Sequence, residues 1–312
     1  MRPERVIDAA LEATVVGGFS SIGYAVRSRL NDWDHDLDLT GQRILLTGGT
    51  SGIGLAAARE MTAAGAKVVI TGRDESRLRS AATKIAAAGP RPITLAADSA
   101  DLEAVAGMFQ RATDSHGGLD VLVNNAGALT HTYTRTPQGF EQTYAVHVLA
   151  PFLLTRLSIP VVGTSGKVIT VSSGGMYTQK LDPAAVEMNA ADYDGVNSYA
   201  KAKRAQVVLN EAWARHYPRG PMFAAMHPGW ADTPGVQDSL PGFRRLTAPI
   251  LRTAEQGADT MVWLAASEVD SGRFWLDRRA RSTVRLPWTR YSDAAVEDLF
   301  EQVQAQTDPY VP

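Results

Sequence analysis

From residue 43 onward, short apolar runs alternate with longer stretches of helical period, and no other feature restricts the fold as tightly. Residues 43–47 (RILLT), 67–71 (KVVIT), 93–97 (ITLAA), 119–124 (LDVLVN) and 167–172 (KVITVS) are brief, apolar and often β-branched. Such runs suit strands buried on both faces of a sheet. Residues 222–226 (MFAAM) and 273–276 (RFWL) are weaker strand candidates, while 53–64, 75–88, 102–115, 139–157, 198–216 and 254–266 carry helical patterns. Strands alternating with helices predict an α/β fold: a doubly wound parallel sheet of Rossmann type with helices on both faces. We divide the chain into an N-terminal extension (1–40), a single main domain (41–277) and a C-terminal tail (278–312).

Composition serves mainly to exclude. With 31 Lys+Arg against 33 Asp+Glu, the chain has no domain-wide positive charge to neutralise phosphates, so it is not expected to bind nucleic acid. It contains no cysteine, which removes disulfides, thiolate nucleophiles and Cys-held metals. The six histidines lack metal-binding spacing, so no metal is expected. A cysteine-free chain is compatible with a reducing cytoplasm, and no signal peptide or transmembrane helix stands out. The uncharged stretch 13–26 is too short to span a bilayer and is broken by Gly17, Gly18 and Gly23. It reads as an arm packed on its own domain or on a partner subunit, against the alternative of peripheral membrane contact. The basic, aromatic run 278–291 reads as a solvated face, against contact with acidic lipid or a partner.

The first strand runs into Gly48-Gly49-Thr50-Ser51-Gly52-Ile53-Gly54 and then into a helix. At this junction a pyrophosphate can meet free backbone N–H groups and the positive helix end. A β-carbon at Gly48, Gly52 or Gly54 would hold the ligand off or push helix from strand. Gly48, Thr50, Ser51, Gly52, Ile53 and Gly54 are therefore the candidate dinucleotide cradle. After the second strand comes Thr71-Gly72-Arg73-Asp74. A site selective for NAD would place a carboxylate at Gly72 for the ribose 2′-OH; here it is missing, and the Arg73 guanidinium suits a 2′-phosphate. The expected cofactor is NADP(H), with NAD(H) as the alternative; a solvated loop arginine is the competing reading of Arg73.

Tyr199 and Lys203 stand four residues apart in a helical stretch and so share one face. Of the nine tyrosines, only Tyr199 has Lys four residues later; Lys201 faces elsewhere. Moving a hydride between a nicotinamide and a carbonyl requires a matching proton transfer at oxygen. A phenol with a pKa of about 10 is a poor base near neutrality. An adjacent ammonium and an oxidised cofactor ring would favour phenolate, making Tyr199 a general acid/base and Lys203 the group that lowers its pKa.

The spacing T-G-x-x-x-G-x-G at 47–54, with the Y-x-x-x-K pair, resembles the short-chain dehydrogenase/reductase family over roughly residues 39–277. The resemblance implies that Asn125, Ala126 and Gly127 of Asn124-Asn125-Ala126-Gly127 border the cofactor. It implies that Asp98 meets the adenine, and that Pro228 and Gly229, with Thr233, contact the nicotinamide carboxamide. Tyr199 and Lys203 would also lie on the cofactor, Lys203 holding ribose hydroxyls. Ser173 would orient the substrate oxygen, with Ser172 the neighbour to distinguish from it. The implied activity is that of a carbonyl reductase or alcohol dehydrogenase on a small-molecule carbonyl or alcohol, in a homo-oligomer. One position departs: His147 stands where the family places an Asn of the proton relay, either as a substitute relay member or as a packed helix histidine.

Residues 172–181, 227–236, 254–260 and 271–277 further resemble one branch of the family, the member-12 group. Trp230, Leu240, Phe243 and Leu246 suggest an apolar substrate region. The Pro/Gly-rich stretch 233–249 reads as a mobile lid or a plain connecting loop, and 176–197 as an extra loop near the site. Two other functions compete. A cofactor-binding sensor or interaction protein without turnover draws support from His147. A lyase or epimerase of a sugar-nucleotide branch is opposed by the glycine spacing.

Overall fold

The computed structural model describes residues 3–34, 36–233, 237 and 241–311. Eight strands form one sheet in the order β3-β2-β1-β4-β5-β6-β7-β8. They are β1 (Arg43–Leu46), β2 (Lys67–Gly72), β3 (Ile93–Ala96), β4 (Val121–Asn124), β5 (Lys167–Val171), β6 (Met222–Met226), β7 (Arg273–Leu276) and β8 (Arg279–Arg281). The first seven are parallel and β8 returns antiparallel to β7. All seven strands expected from the sequence are present, within two residues at each end.

The helices, in chain order, are α1 (Pro3–Glu12), α2 (Val15–Phe19), α3 (Ser21–Leu30), α4 (Gly52–Ala63), α5 (Glu75–Ala86), α6 (Leu102–His116), α7 (Gln142–Val162), α8 (Gly195–His216), α9 (Pro241–Thr247), α10 (Ala254–Ala266) and α11 (Asp293–Thr307). Local chemistry sets several starts and stops. Asp74, Asp101 and Asp194 side chains accept first-turn N–H groups of α5, α6 and α8. Thr253 and Gln256 close a capping box on α10, and Gly117 ends α6 in the left-handed conformation.

The pleat of the sheet sorts side chains to two cores. Ile44, Leu46, Val68 and Ile70 pack with α4, α5 and α10 on one face. Leu45, Val69, Leu122 and Val168 pack with α6, α7, α8 and α11 on the other. Helix α7 is long and apolar enough to cross a membrane, but Tyr144, Leu149, Phe152 and Leu153 bury it in the second core. Its segment Ala145–Leu149 is π-helical, an irregularity that concentrates at functional sites, and His147 sits there. The strand order reverses between β1 and β4, which opens a crevice at their carboxyl ends.

Two expectations need correction. The segment 278–312 is not a tail: β8 extends the sheet, and Val296, Leu299, Phe300 and Val303 of α11 enter the core. The boundary drawn at 277/278 falls inside the β7–β8 turn, where Asp277 and Arg278 both take left-handed φ (54° and 53°). Nor is the basic run a uniformly solvated face: Arg278 and Arg281 are buried in ion pairs with Asp259 and Asp8, whereas Trp288 is exposed. Residues 3–30 form three helices against the main domain, as an arm packed on its own chain would.

Candidate functional site

The two turns at the crevice lock together. Thr47 Oγ1 accepts from the backbone N–H groups of Asn125 and Ala126, each at 3.0 Å. Asn125 Nδ2 donates to the carbonyls of Thr47 (2.9 Å) and Gly48 (3.1 Å). Gly48 needs its glycine twice over: its φ is +71°, and a β-carbon would stand 2.8 Å from Ala126 Cα. A β-carbon on Gly54 would strike Gly48 O. Asn124 instead points into the fold, toward Thr155 Oγ1.

This cradle fits a dinucleotide. Ser51 precedes α4 without capping it, so the first-turn N–H groups face the crevice with the positive helix end. Gly127 and Ala128 are exposed beside them. Arg73 is exposed at the end of β2, and Asp98, past β3, folds into a turn by accepting Ala100 N at 3.0 Å. Sequence reading missed Arg77, whose Nη2 reaches Ser51 Oγ at 3.3 Å. Its position in the first turn of the helix that follows Arg73 was the available signal.

At the catalytic end Ser173, Tyr199, Lys203 and His147 come together. Ser173 follows β5, accepts Gly175 N at 3.2 Å and hydrogen-bonds the Tyr199 side chain. Ser172 is separated from that role: its buried hydroxyl donates to Lys203 O at 2.8 Å. Lys203 Nζ lies 5.4 Å from the Tyr199 ring centroid and donates to Val171 O at 2.8 Å. The expected lowering of the phenol pKa is not met in this structure. Burial raises it, opposed by the Ser173 hydrogen bond, and burial also brings the Lys203 ammonium down to about 7. A lysine so desolvated and turned to a carbonyl is a weak source of positive potential for its neighbour.

His147 packs edge-on against Tyr199, ring centroids 5.1 Å apart, and fills the space beside Gly127 where a β-carbon would clash. Its Nε2 lies 2.8 Å from Ala128 O. Burial first, and Lys203 second, hold it neutral, with its pKa pushed down to about 3. His147 Nδ1 and Gln206 Oε1 are buried without a partner, and a cavity of about 20 Å³ is lined by both residues.

Beyond β6, Gly229 turns with φ +72°, and its N–H donates to His227 Nδ1 at 3.2 Å. Arg252 Nη1 reaches Pro228 O, and Thr233 O accepts Gln237 N at 2.9 Å. Of the apolar candidates, Trp230 stacks edge-on to Phe19 and Leu246 is 85% exposed. Leu240 and the Phe243 side chain, with 234–236 and 238–239 of the expected lid, lie outside the described residues. The loop 176–197 is anchored by its first half, where Met176, Tyr177, Leu181 and Val186 are buried, while 189–192 are exposed.

A family model for short chain dehydrogenases matches residues 42–241. The chain is 40% identical over 274 residues to dehydrogenase/reductase SDR family member 12 of Homo sapiens, covering 85% of this chain and 86% of that protein. It is 29% identical over 264 residues to retinol dehydrogenase 12 of Homo sapiens, covering 79% and 83%. Among solved structures it resembles a short chain dehydrogenase from Burkholderia cenocepacia J2315 in complex with NADP. That likeness has a TM-score of 0.62 and 29% identity, and covers 76% of this chain and 96% of that one. Sheet order, cradle and sequence agree: the chain belongs to the short chain dehydrogenase family, as a nucleotide-binding oxidoreductase of Rossmann fold.

Proposed function

We propose that the chain is an NADP(H)-dependent carbonyl reductase or alcohol dehydrogenase acting on an apolar small molecule. The observation that carries this reading is the contact of the Ser173 hydroxyl with the Tyr199 phenol above Lys203, at the mouth of a crevice shaped for a dinucleotide. The bound nicotinamide supplies or takes the hydride. Ser173 orients the substrate oxygen, and Tyr199 gives its phenolic proton to that oxygen during reduction or removes it during oxidation. Burial keeps the phenol protonated, the form from which reduction draws its proton. Lys203, bonded to Val171 O, anchors the face on which Tyr199 stands and would hold the ribose hydroxyls of a bound cofactor. His147, being neutral, offers a hydrogen-bonding nitrogen rather than a charge. Arg73 and Arg77 flank the end of the cradle that a 2′-phosphate would occupy.

The test is NADPH oxidation over a panel of apolar aldehydes and ketones, with Tyr199→Phe as control. Tyr199→Phe should retain NADPH binding and lose kcat by about a hundredfold to ten-thousandfold, the usual worth of one general acid. NADPH binding without any turnover that Tyr199→Phe abolishes would favour the sensor reading instead.

A further inference from the structure

The N-terminal extension reaches the crevice at Phe19. Phe19 ends α2, and its ring lies between two segments from distant parts of the chain. On one side is Gly174, next to Ser173, where a β-carbon would stand 2.7 Å from Phe19 Cε2. On the other, the ring meets His227 edge-on with centroids 4.6 Å apart, and Trp230 at 6.0 Å. Its backbone is engaged as well. Phe19 O accepts from Trp230 N at 2.8 Å and from Arg252 Nε at 3.0 Å. Arg252 also donates to the carbonyls of Gly18 and Ser20 from the extension, and to Pro228 O. Asp277 binds the same guanidinium through both carboxylate oxygens, at 2.6 and 2.9 Å. Phe19 is itself buried, so it offers little surface to a ligand; it fixes a spacing.

We propose that Phe19 is a positioning residue, a wedge that sets the separation between the turn at Ser173 and Gly174 and the segment 228–230. The extension is thereby part of the scaffold of the crevice. Its effect on turnover rests on the oxidoreductase reading above; its effect on the two segments does not. Close-packed interiors transmit such a displacement rather than absorb it. Misplacing reacting groups by about 1 Å can cost on the order of a hundredfold in rate.

Full-length Phe19→Ala, the conservative Phe19→Leu and Ile22→Ala, an exposed position in the same extension, separate the possibilities. Hydrogen–deuterium exchange is read over 172–177 and 227–232, with 43–54 as reference. Phe19→Ala should speed exchange in both target segments by about tenfold and leave 43–54 within about twofold, while Phe19→Leu restores most of the protection and Ile22→Ala changes neither. In carbonyl reduction, Phe19→Ala should lower kcat by at least about tenfold with KM for NADPH little changed, and Phe19→Leu should recover it. Faster exchange confined to 14–30, exchange raised evenly along the chain, or an unchanged kcat in an active enzyme would each overturn the wedge. A wild type that turns over no carbonyl counts against the oxidoreductase reading alone, and the exchange data then decide the wedge.

Discussion

Lys203 is buried below Tyr199, and burial takes its ammonium from the ordinary 10.5 down to about 7. In the unfolded chain the same group keeps its proton up to the ordinary value. Between these pH values the unfolded state binds more protons, so the Lys203 contribution to stability rises with pH through the window and is lost as pH falls to about 7. The stability of wild type relative to Lys203→Met should therefore increase with pH in that window, by up to about 1.4 kcal/mol per pH unit. Denaturant titrations across the window measure it, and a flat difference would show that the ammonium stays charged in the fold. Cofactor choice is decided at the residue scale too. Arg73→Ala should weaken NADPH binding by about tenfold or more and NADH binding far less, because a paired guanidinium bond to phosphate is charge-assisted; equal losses in titration calorimetry would count against NADP(H) preference. The Tyr199 and Lys203 pair was legible because four residues on a helix are spatial neighbours. The separation of Ser173 from Ser172 was not, since it depends on which hydroxyl the Lys203 carbonyl captures across 31 residues.

Among the elements, the β7–β8 turn holds both of its central residues, Asp277 and Arg278, in ion pairs. Asp277 is buried between Arg27 Nη1 at 2.7 Å and Arg252 Nη1 at 2.6 Å. Burial pushes its carboxyl up, but Arg252 and then Arg27 outweigh that and hold it below the ordinary carboxylate value. Its contribution is present above that ordinary value and is lost as pH falls through the lowered one. Asp277→Asn takes from buried Arg252 its paired carboxylate and from Arg27 one of three, and should cost about 3–5 kcal/mol of unfolding free energy, measured by denaturant titration near neutral pH; a cost below about 1 kcal/mol would mean that solvent reaches the cluster. Periodicity exposed the strands and helices of the main domain because burial on both sheet faces leaves unbroken apolar runs. It missed β8, whose Arg279-Ala280-Arg281 has no apolar signal. Helix α11 was legible but unread: Val296, Leu299, Phe300 and Val303 follow helical spacing after the Ser292 cap.

At the scale of the whole molecule, one ion cluster ties the N-terminal extension to the segment 252–285. Asp8 holds Arg27, Arg279 and Arg281; Glu12 meets Arg27 and Arg285; Asp277 holds Arg27 and Arg252. Because these partners share buried charges, the extension should unfold with the main domain. Urea unfolding followed by far-ultraviolet circular dichroism and by tryptophan fluorescence should give coincident single transitions; an early separate loss of helix signal would show that the extension opens alone. The sequence by itself determined the Rossmann sheet, the glycine cradle and the pairing of Tyr199 with Lys203, since each is written in local spacing. Only the tertiary structure decided that residues 3–30 pack on the main domain, that 278–311 complete the fold, and that burial raises the Tyr199 phenol. Those outcomes depend on charges and rings meeting across up to 273 residues of chain, and on how much water the packed core leaves around them.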